Sequence, residues 1–183
     1  MEELKKDNKN DFDHAFAPVI LEIVKAIKSF EENSKTRKEL KATLKVALQK
    51  YTNFETQMVS EKAYEYIVEL NNENNTYHNP FNLNFDQHRK KFGESTDKKN
   101  KIMWEHVIPI SYTIEYLEKE DRFNQLEEIL KYLKKYPGTC LITREEDDKL
   151  NEKHRTNRTD DTWKSIYKDL EILVKNRSEF SYL

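Results

Sequence analysis

A glutamate and a histidine stand side by side in residues 101–111, which read KIMWEHVIPIS. A carboxylate can bind a cation or move a proton, and an imidazole with an unperturbed pKa of about 6.5 can accept a proton near neutral pH. The rest of the chain is rich in charged residues and mostly helical in pattern. Glu105 and His106 are therefore the first candidates for a functional site.

The segment that carries the pair is predicted to be a short strand, because it is apolar, rich in β-branched residues and ends at Pro109. Neighbouring side chains on a strand point to opposite faces. Glu105 and His106 can therefore act together only where the strand ends or bends. Pro109 and the turn toward Ser111 are consistent with such a bend.

Helices and a second strand are predicted to follow the Glu-His strand. Apolar residues recur at helical spacing over residues 111–136. Pro137 and Gly138 signal a turn, and the next segment, TCLIT, reads as a second short strand. Thr143 and Glu146 have the spacing of a capping box, which opens a helix through REEDDKLNEKH.

This last helix carries a further group of side chains that could bind a metal. Asp147, Asn151 and His154 follow one another at spacings of four and three, so they share one helical face. Carboxylate and amide oxygens suit Mg²⁺ or Mn²⁺, and a softer metal would fit if the imidazole took part. The same residues could also be the solvated side of an amphipathic helix. Leu150 lies on that face, which indicates that the face packs against something.

The first part of the chain reads as helices. Apolar spacing predicts a first helix that begins near Pro18, since proline is accommodated in a first helical turn. Thr36 and Glu39 have capping-box spacing for a second helix, and a third is predicted after Ser60. Residues 77–100 are rich in asparagine and lysine and lack periodicity, so they are predicted to be a connecting loop.

In this order of elements the chain resembles the HNH, or ββα-metal, endonucleases of the restriction type. The resemblance is carried by WEHVIPIS, by CLITREEDDKLN and by the later DTWKSIY. Compact members of the family place an acid-His-x-x-Pro strand before a Thr-x-Glu-Glu helix. The match covers roughly the C-terminal half of the chain.

The resemblance implies a ββα-metal motif in the second half of the chain and leaves the first hundred or so residues unexplained. Together with the helical pattern of the N-terminal half, it predicts an α+β fold that is predominantly α. That motif would carry a helical insertion between its two strands, and we expect the strands to pair antiparallel within residues 101–155. Residues 1–76 would form a helical region for substrate positioning or dimerisation, and residues 77–100 the connecting loop. Residues 101–183 would form the HNH-like nuclease region.

The resemblance also implies roles for the side chains. Hydrolysis of a phosphodiester needs a base for water and a cation for the charge on the phosphate. In the family the acid before the histidine binds the metal and the histidine is the general base, which makes His106 the base. The implied metal ligands are Glu105, Asp147, Asn151 and His154. The metal would be Mg²⁺ or Mn²⁺, with Zn²⁺ or Ni²⁺ as alternatives.

The chain departs from the family pattern at two places. It lacks a closing histidine in an unmistakable position on the metal-binding helix. It also offers no secure match, near Thr139, for the asparagine that orients the catalytic histidine.

The net charge is −2, so the chain as a whole does not attract nucleic acid. Binding to nucleic acid would depend on local clusters of basic residues. Lysines lead into the Glu-His strand, and an arginine opens the later helix. The candidate phosphate contacts are Lys98, Lys99, Lys101 and Arg144. Lys38, Lys41 and Lys45 form another stripe on the second predicted helix, which is more often a solvated face. The expected partner is double-stranded DNA.

Composition excludes several other classes of protein. The single Cys140 excludes a disulfide framework and a cysteine-based zinc site, and it fits a reducing compartment. With 2 glycines and 4 prolines, the chain has too few turn formers for an all-β fold. No apolar run is long enough for a membrane helix and no signal peptide is evident, so we expect a cytoplasmic protein without a membrane partner.

Two classes of function follow from the sequence. The first is a metal-dependent HNH endonuclease that hydrolyses DNA phosphodiester bonds in restriction or phage defence. A double-strand cut needs two nicking centres, so we expect a homodimer. The alternative is a non-catalytic helical binding or regulatory protein with a degenerate ββα-like motif. Incubation with plasmid DNA, with and without Mg²⁺ or Mn²⁺, separates the two.

Overall fold

The computed structural model describes residues 9–53, 58–74, 79–82, 85–92 and 101–176. Over these residues the α-helices are α1 (Lys9–Ser29), α2 (Lys35–Thr52), α3 (Glu61–Glu73), α4 (Phe85–Phe92), α5 (Ile110–Lys119), α6 (Leu126–Lys135), α7 (Arg144–His154) and α8 (Trp163–Asp169). The strands are β1 (Met58–Ser60), β2 (Ile102–His106), β3 (Thr139–Thr143) and β4 (Val174–Asn176). Among these residues, no helix combines the length and the apolar character needed to cross a bilayer.

The predicted fold class, α+β with mostly helix, is confirmed. The strands described here form one mixed sheet in the order β2-β3-β1-β4. Strand β2 runs antiparallel to β3, β1 runs parallel to β3, and β4 runs antiparallel to β1. The predicted order of strand, helical insertion, strand and helix is therefore found, together with the predicted antiparallel pair.

Strands β1 and β4 and helix α4 were not predicted from the sequence. Strands β1 and β4 have three residues each, and such short segments show no periodicity. Helix α4 lies within residues 77–100, where the sequence indicated a connecting loop. Its Phe85 and His88 pack against Trp104 of β2, with ring centroids 5.9 and 5.6 Å apart. These tertiary contacts stabilise a helix whose polar sequence gives little sign of it.

The chain divides into two compact units. The first consists of Met1–Tyr51 and Thr113–Tyr136, and the second of Thr52–Tyr112 and Pro137–Leu183. The sheet lies in the second unit, whereas the described part of the first unit is helical. Strand β1 and helix α3 come from the region that the sequence assigned to N-terminal helices, yet they belong to the unit that holds the Glu-His strand.

In the first unit, helix α1 packs an apolar stripe against α6. The residues of this stripe with 0% exposure are Ala17, Ile20, Val24 and Ile27. Helix α1 is already helical at Lys9 and continues through Pro18, so the predicted start near Pro18 was wrong. The rings of Phe12 and Phe16 pack against Tyr51, with centroids 5.8 and 5.9 Å away. These contacts hold the helical turns that precede the proline.

Helix α2 is capped by Ser34, whose Oγ accepts a 3.2 Å hydrogen bond from the backbone N–H of Arg37. The predicted cap at Thr36 was therefore wrong, because that residue already lies inside the helix. Arg37 Nε also donates a 2.9 Å hydrogen bond to Glu118 Oε1 of α5. Lys41 Nζ lies 2.7 Å from Glu118 Oε2. Two cations of α2 thus hold one carboxylate of α5.

Candidate active site at the end of strand β2

Strand β2 ends at the Glu-His pair. Glu105 lies opposite Cys140 of β3, and His106 lies opposite Thr139. Both side chains of the pair are half-buried. The last two ladder positions of β2 therefore carry a carboxylate and an imidazole, and as neighbours on a strand these side chains point to opposite faces of the sheet.

Arg158 binds this strand end from the segment after α7. Its side chain is 2% exposed, and Nη2 forms an ion pair with Glu105 Oε1. Nε donates a 3.0 Å hydrogen bond to the carbonyl of Val107, and Nη2 donates one of 3.1 Å to the carbonyl of His106. Nη1 donates a 3.1 Å hydrogen bond to the carbonyl of His154 at the end of α7. The guanidinium thus fixes the strand exit and the end of α7 together.

Two carboxylates share the charge of Arg158. Burial raises the pKa of Glu105 to about 7, although the charge of Arg158 opposes this and that of Asp147 adds to it. Burial also raises the pKa of Asp147, as does the neighbouring charge of Asp148, while Arg144 and Arg158 lower it. Both carboxyl groups therefore hold a proton more readily than a solvated carboxyl does.

The imidazole of His106 has a side-chain partner from helix α2. Its Nε2 lies 3.0 Å from Oγ1 of Thr52, the last residue of that helix. Burial lowers the pKa of His106 to about 4, and the positive charge of Arg158 lowers it further. The imidazole is therefore neutral near pH 7, but its low pKa makes it a weaker proton acceptor than an imidazole whose pKa matches that pH.

The three predicted ligands on α7 differ in burial and in their hydrogen-bond partners. Asp147 is 8% exposed, and Asn151 hydrogen-bonds to its side chain. Asn151 itself is exposed. His154 Nδ1 lies 3.2 Å from Asn157 Oδ1, and seven residues of helix place His154 about 10 Å beyond Asp147 along the axis. The structure thus brings Asp147 to Glu105, brings Asn151 to Asp147, and leaves His154 at the far end of α7.

A divalent cation would have two carboxylates available at this site. Among the described residues there is no group of three or more His, Cys, Asp or Glu side chains placed to hold a metal. A magnesium site does not need such a group, since Mg²⁺ commonly takes one or two carboxylates and completes its shell with water and substrate phosphate. Glu105 and Asp147 are the two carboxylates here whose charges interact, and Oε1 of Glu105 is already paired with Arg158.

The candidate phosphate contacts lie partly at the start of α7. The backbone N–H of Arg144 donates a 3.0 Å hydrogen bond to the carbonyl of Lys101, so the residue before β2 and the first residue of α7 are adjacent. Lys101 is exposed, and its Nζ lies 5.5 Å from the ring centroid of Tyr66. Lys98 and Lys99 lie outside the described residues.

The predicted capping box at the start of α7 is confirmed. Glu146 Oε2 accepts a 2.8 Å hydrogen bond from the backbone N–H of Thr143. The same oxygen accepts a 2.7 Å hydrogen bond from Ser60 Oγ, and Ser60 Oγ in turn accepts one of 3.1 Å from the N–H of Ala63. Glu146 therefore joins the N-terminus of α7 to that of α3, which holds the helix bearing Asp147 in place.

Sequence reasoning missed Arg158 and Thr52. Arg158 stands in the polar stretch RTNRTDD, which also contains Arg155. No sequence pattern in this stretch distinguishes one arginine from the other. Thr52 lies 54 positions before His106, at the end of an ordinary amphipathic helix. No local pattern marks either residue, because the contacts that give them importance are made only in the folded chain.

Comparison with protein-family models, with curated proteins and with solved structures found no match. What the chain does must therefore be inferred from the site itself. The relevant features are the Glu105–His106 pair, the second carboxylate of Asp147 and the buried guanidinium of Arg158.

Proposed function

We propose that the chain is a metal-dependent endonuclease of the HNH type that hydrolyses DNA phosphodiester bonds. The observation that carries the proposal is the position of His106 at the end of β2, directly after a carboxylate whose charge interacts with Asp147. Phosphodiester hydrolysis requires a base for water and positive charge at the phosphate. The imidazole of His106 would supply the first, and the carboxylates of Glu105 and Asp147 would offer a binding place for the cation that supplies the second.

Glu105 and Asp147 would hold the cation, which we propose to be Mg²⁺ or Mn²⁺. When bound, it would supply positive charge to the phosphate and to the leaving oxygen. Arg158 balances one carboxylate, so the cluster has room for further positive charge without Asn151 or His154 as ligands. Binding would displace the proton that the raised pKa of Glu105 favours.

The residues of the chain would then divide the work. The imidazole of His106 accepts a proton from the attacking water. The hydrogen bonds from Arg158 to the carbonyls of His106 and Val107 keep the strand exit, and with it the ring, in one position. Lys101 and Arg144 contact substrate phosphates, together with Lys98 and Lys99. Two copies of the chain would cut the two strands of a duplex, in a restriction or phage-defence setting.

One observation favours a second candidate, a non-catalytic binding protein with a degenerate ββα-like motif. The carboxylate of Glu105 is already paired with a guanidinium that is 2% exposed. A permanent internal cation can replace the role of a metal in holding the strand end. In that case the charge cluster would be structural, and neither Mg²⁺ nor Mn²⁺ would change the behaviour of the protein toward DNA.

Plasmid cleavage tests the proposal. The full chain is incubated with supercoiled plasmid in Mg²⁺, in Mn²⁺ and in a chelator, beside His106→Ala and the matched control His14→Ala. His14 is exposed on α1, so its loss removes a surface imidazole that has no role in the proposal. We expect the wild type and the control to nick or linearise the plasmid only with metal, and His106→Ala to be slower by about 10²–10⁴-fold. Absence of metal-dependent cleavage, or equal cleavage by His106→Ala, contradicts the proposal.

A further inference from the structure

Thr52 contacts the imidazole of His106 from a distant part of the chain. Its Oγ1 lies 3.0 Å from His106 Nε2, and the residue is 4% exposed. Its carbonyl oxygen accepts a 3.4 Å hydrogen bond from Oγ1 of Thr139, the residue that lies opposite His106 in the sheet. The side chain and the backbone of Thr52 are therefore both tied to the strand end that carries the histidine.

A neutral histidine acts as a base through one ring nitrogen, while the other nitrogen carries the proton. A partner that accepts a hydrogen bond from Nε2–H therefore keeps Nδ1 unprotonated and sets the tautomer. A threonine hydroxyl in a helix can accept such a bond while it donates its own proton to a carbonyl in the preceding turn. Thr52 occupies the last turn of α2, which is the setting for this pair of bonds.

We propose that Thr52 is the positioning residue for His106. Its Oγ1 accepts a hydrogen bond from Nε2–H and holds the ring with Nδ1 free to take a proton from water. The use of Nδ1 in a reaction rests on the proposed function, but the tautomer is a property of the folded chain. Thr52 thus takes the orienting role for which the sequence offered no match near Thr139, and Thr139 in turn holds Thr52.

Thr52, the last residue of α2, is consequently part of the site. The sequence assigned this helix to a region for substrate positioning or dimerisation. In the proposed arrangement it supplies a hydroxyl that decides which nitrogen of the base is reactive. This contribution is separate from any contact of α2 lysines with DNA.

Nitrogen NMR of the full chain, with isotopically labelled histidine, reads the tautomer directly. Long-range proton–nitrogen correlations are recorded at a pH where His106 is neutral, for the wild type, Thr52→Ser and Thr52→Val. Serine keeps the hydroxyl, whereas valine keeps the shape and removes it. Thr113→Val is the matched control, since Thr113 is 0% exposed and its hydroxyl donates to Tyr136 OH.

We expect the Nε2–H tautomer in the wild type, in Thr52→Ser and in the control, and a mixture of tautomers in Thr52→Val. Plasmid cleavage should fall by about 10-fold in Thr52→Val, as for the loss of one hydrogen bond, and return toward the wild-type rate in Thr52→Ser. An Nδ1–H tautomer in the wild type overturns the proposal. So does a Thr52→Val protein whose tautomer and rate equal those of the wild type.

The tautomer measurement separates this inference from the proposed function. If the wild type shows the Nε2–H tautomer but cleaves no DNA, Thr52 still positions His106 and the nuclease proposal fails. If the wild type cleaves DNA with the Nδ1–H tautomer, the nuclease proposal holds and the role of Thr52 is wrong. Should Thr52→Val fail to fold, the wild-type and serine spectra still decide between the two tautomers.

Discussion

Arg158 forms an ion pair with Glu105 and, from the same Nη2 atom, donates a 3.1 Å hydrogen bond to the carbonyl of His106. One buried side chain therefore influences both the charge of the candidate metal ligand and the backbone of the candidate base. Arg158 is 2% and Glu105 20% exposed, so the pair is only weakly screened by water and salt. Loss of either partner leaves a buried charge without its counterpart.

Replacement of Arg158 by methionine should strongly destabilise the fold. We expect Arg158→Met to lower the free energy of unfolding by about 3–5 kcal/mol, because it leaves Glu105 and the backbone carbonyls without their donor. Denaturant unfolding of the full chain measures this loss. Arg155→Met is the matched control, since Arg155 is exposed at the end of α7, and its effect should stay within about 0.5 kcal/mol. An equal loss of unfolding free energy in the two variants would show that the buried ion pair does not stabilise the fold more than an exposed arginine does.

Removal of a candidate metal ligand should weaken metal binding without removing the base. We expect Glu105→Gln and Asp147→Asn to reduce the affinity for Mn²⁺ by about 10-fold or more, since each removes one of few protein oxygens. Isothermal titration calorimetry measures the affinity, and Asp148→Asn is the exposed control on α7. Higher Mn²⁺ should partly restore cleavage by Glu105→Gln and Asp147→Asn, but not by His106→Ala. Identical rescue curves for these variants would refute the division of roles.

Neutralising the basic cluster before β2 should weaken DNA binding without regard to sequence. We expect the triple variant Lys98→Gln, Lys99→Gln, Lys101→Gln to bind every duplex less tightly and to show a flatter dependence of affinity on salt. Fluorescence anisotropy at several salt concentrations measures both quantities. The matched control replaces Lys38 and Lys45 of α2, which are exposed and which the sequence favours as a solvated face. Unchanged affinity and salt slope in the first variant would leave the cluster as an ordinary solvated surface.

The pairing of Glu118 with Lys41 and Arg37 predicts how the stability of the first unit depends on pH. Burial alone would raise the pKa of Glu118, but Lys41 and Arg37 outweigh it and hold that pKa below its ordinary value of 4.5. A folded-state pKa below the unfolded one stabilises the fold above about pH 4.5, and this stability is lost as the pH falls through the folded pKa.

Glu118→Gln should therefore be less stable than the wild type near neutral pH, and the difference should shrink as the solution is acidified. Urea unfolding at a series of pH values measures it. Glu115→Gln serves as the control, because Glu115 is exposed and its partner Lys119 lies 3.7 Å away on the surface. A difference between Glu118→Gln and the wild type that stays constant with pH would contradict the expected linkage.

Local signals allowed the sequence to place the Glu-His pair at a strand end and the cap of α7 at Thr143. The cap depends on short-range chemistry, a hydroxyl that accepts from an N–H three residues later. The strand was predicted to continue to Pro109, whereas β2 already ends at His106. The cap at Thr36 failed because Ser34, two residues earlier, offers the same chemistry. Competing caps of this kind cannot be ranked without the packing of the helix that follows.

Long-range contacts account for the parts of the site that the sequence did not predict. Glu105 pairs with Arg158 across 53 positions, and His106 meets Thr52 across 54. Strand β1 has only three residues, too few to show a strand pattern in the sequence, yet it pairs with both β3 and β4. Each of these partners is chosen by the tertiary fold, so composition and periodicity carry no trace of them.

Strand β1 lies inside the sheet, between β3 and β4. The Glu-His region therefore cannot be expressed or grafted as one continuous C-terminal segment without losing an inner strand. A segment cut from Lys101 onward would contain β2, β3 and β4, but not the strand that lies between β3 and β4. Strand β3 would then expose a row of unpaired backbone groups, a template for self-association. A graft of the Glu-His region onto another scaffold would therefore have to include residues 52–74 as a second, separately encoded segment.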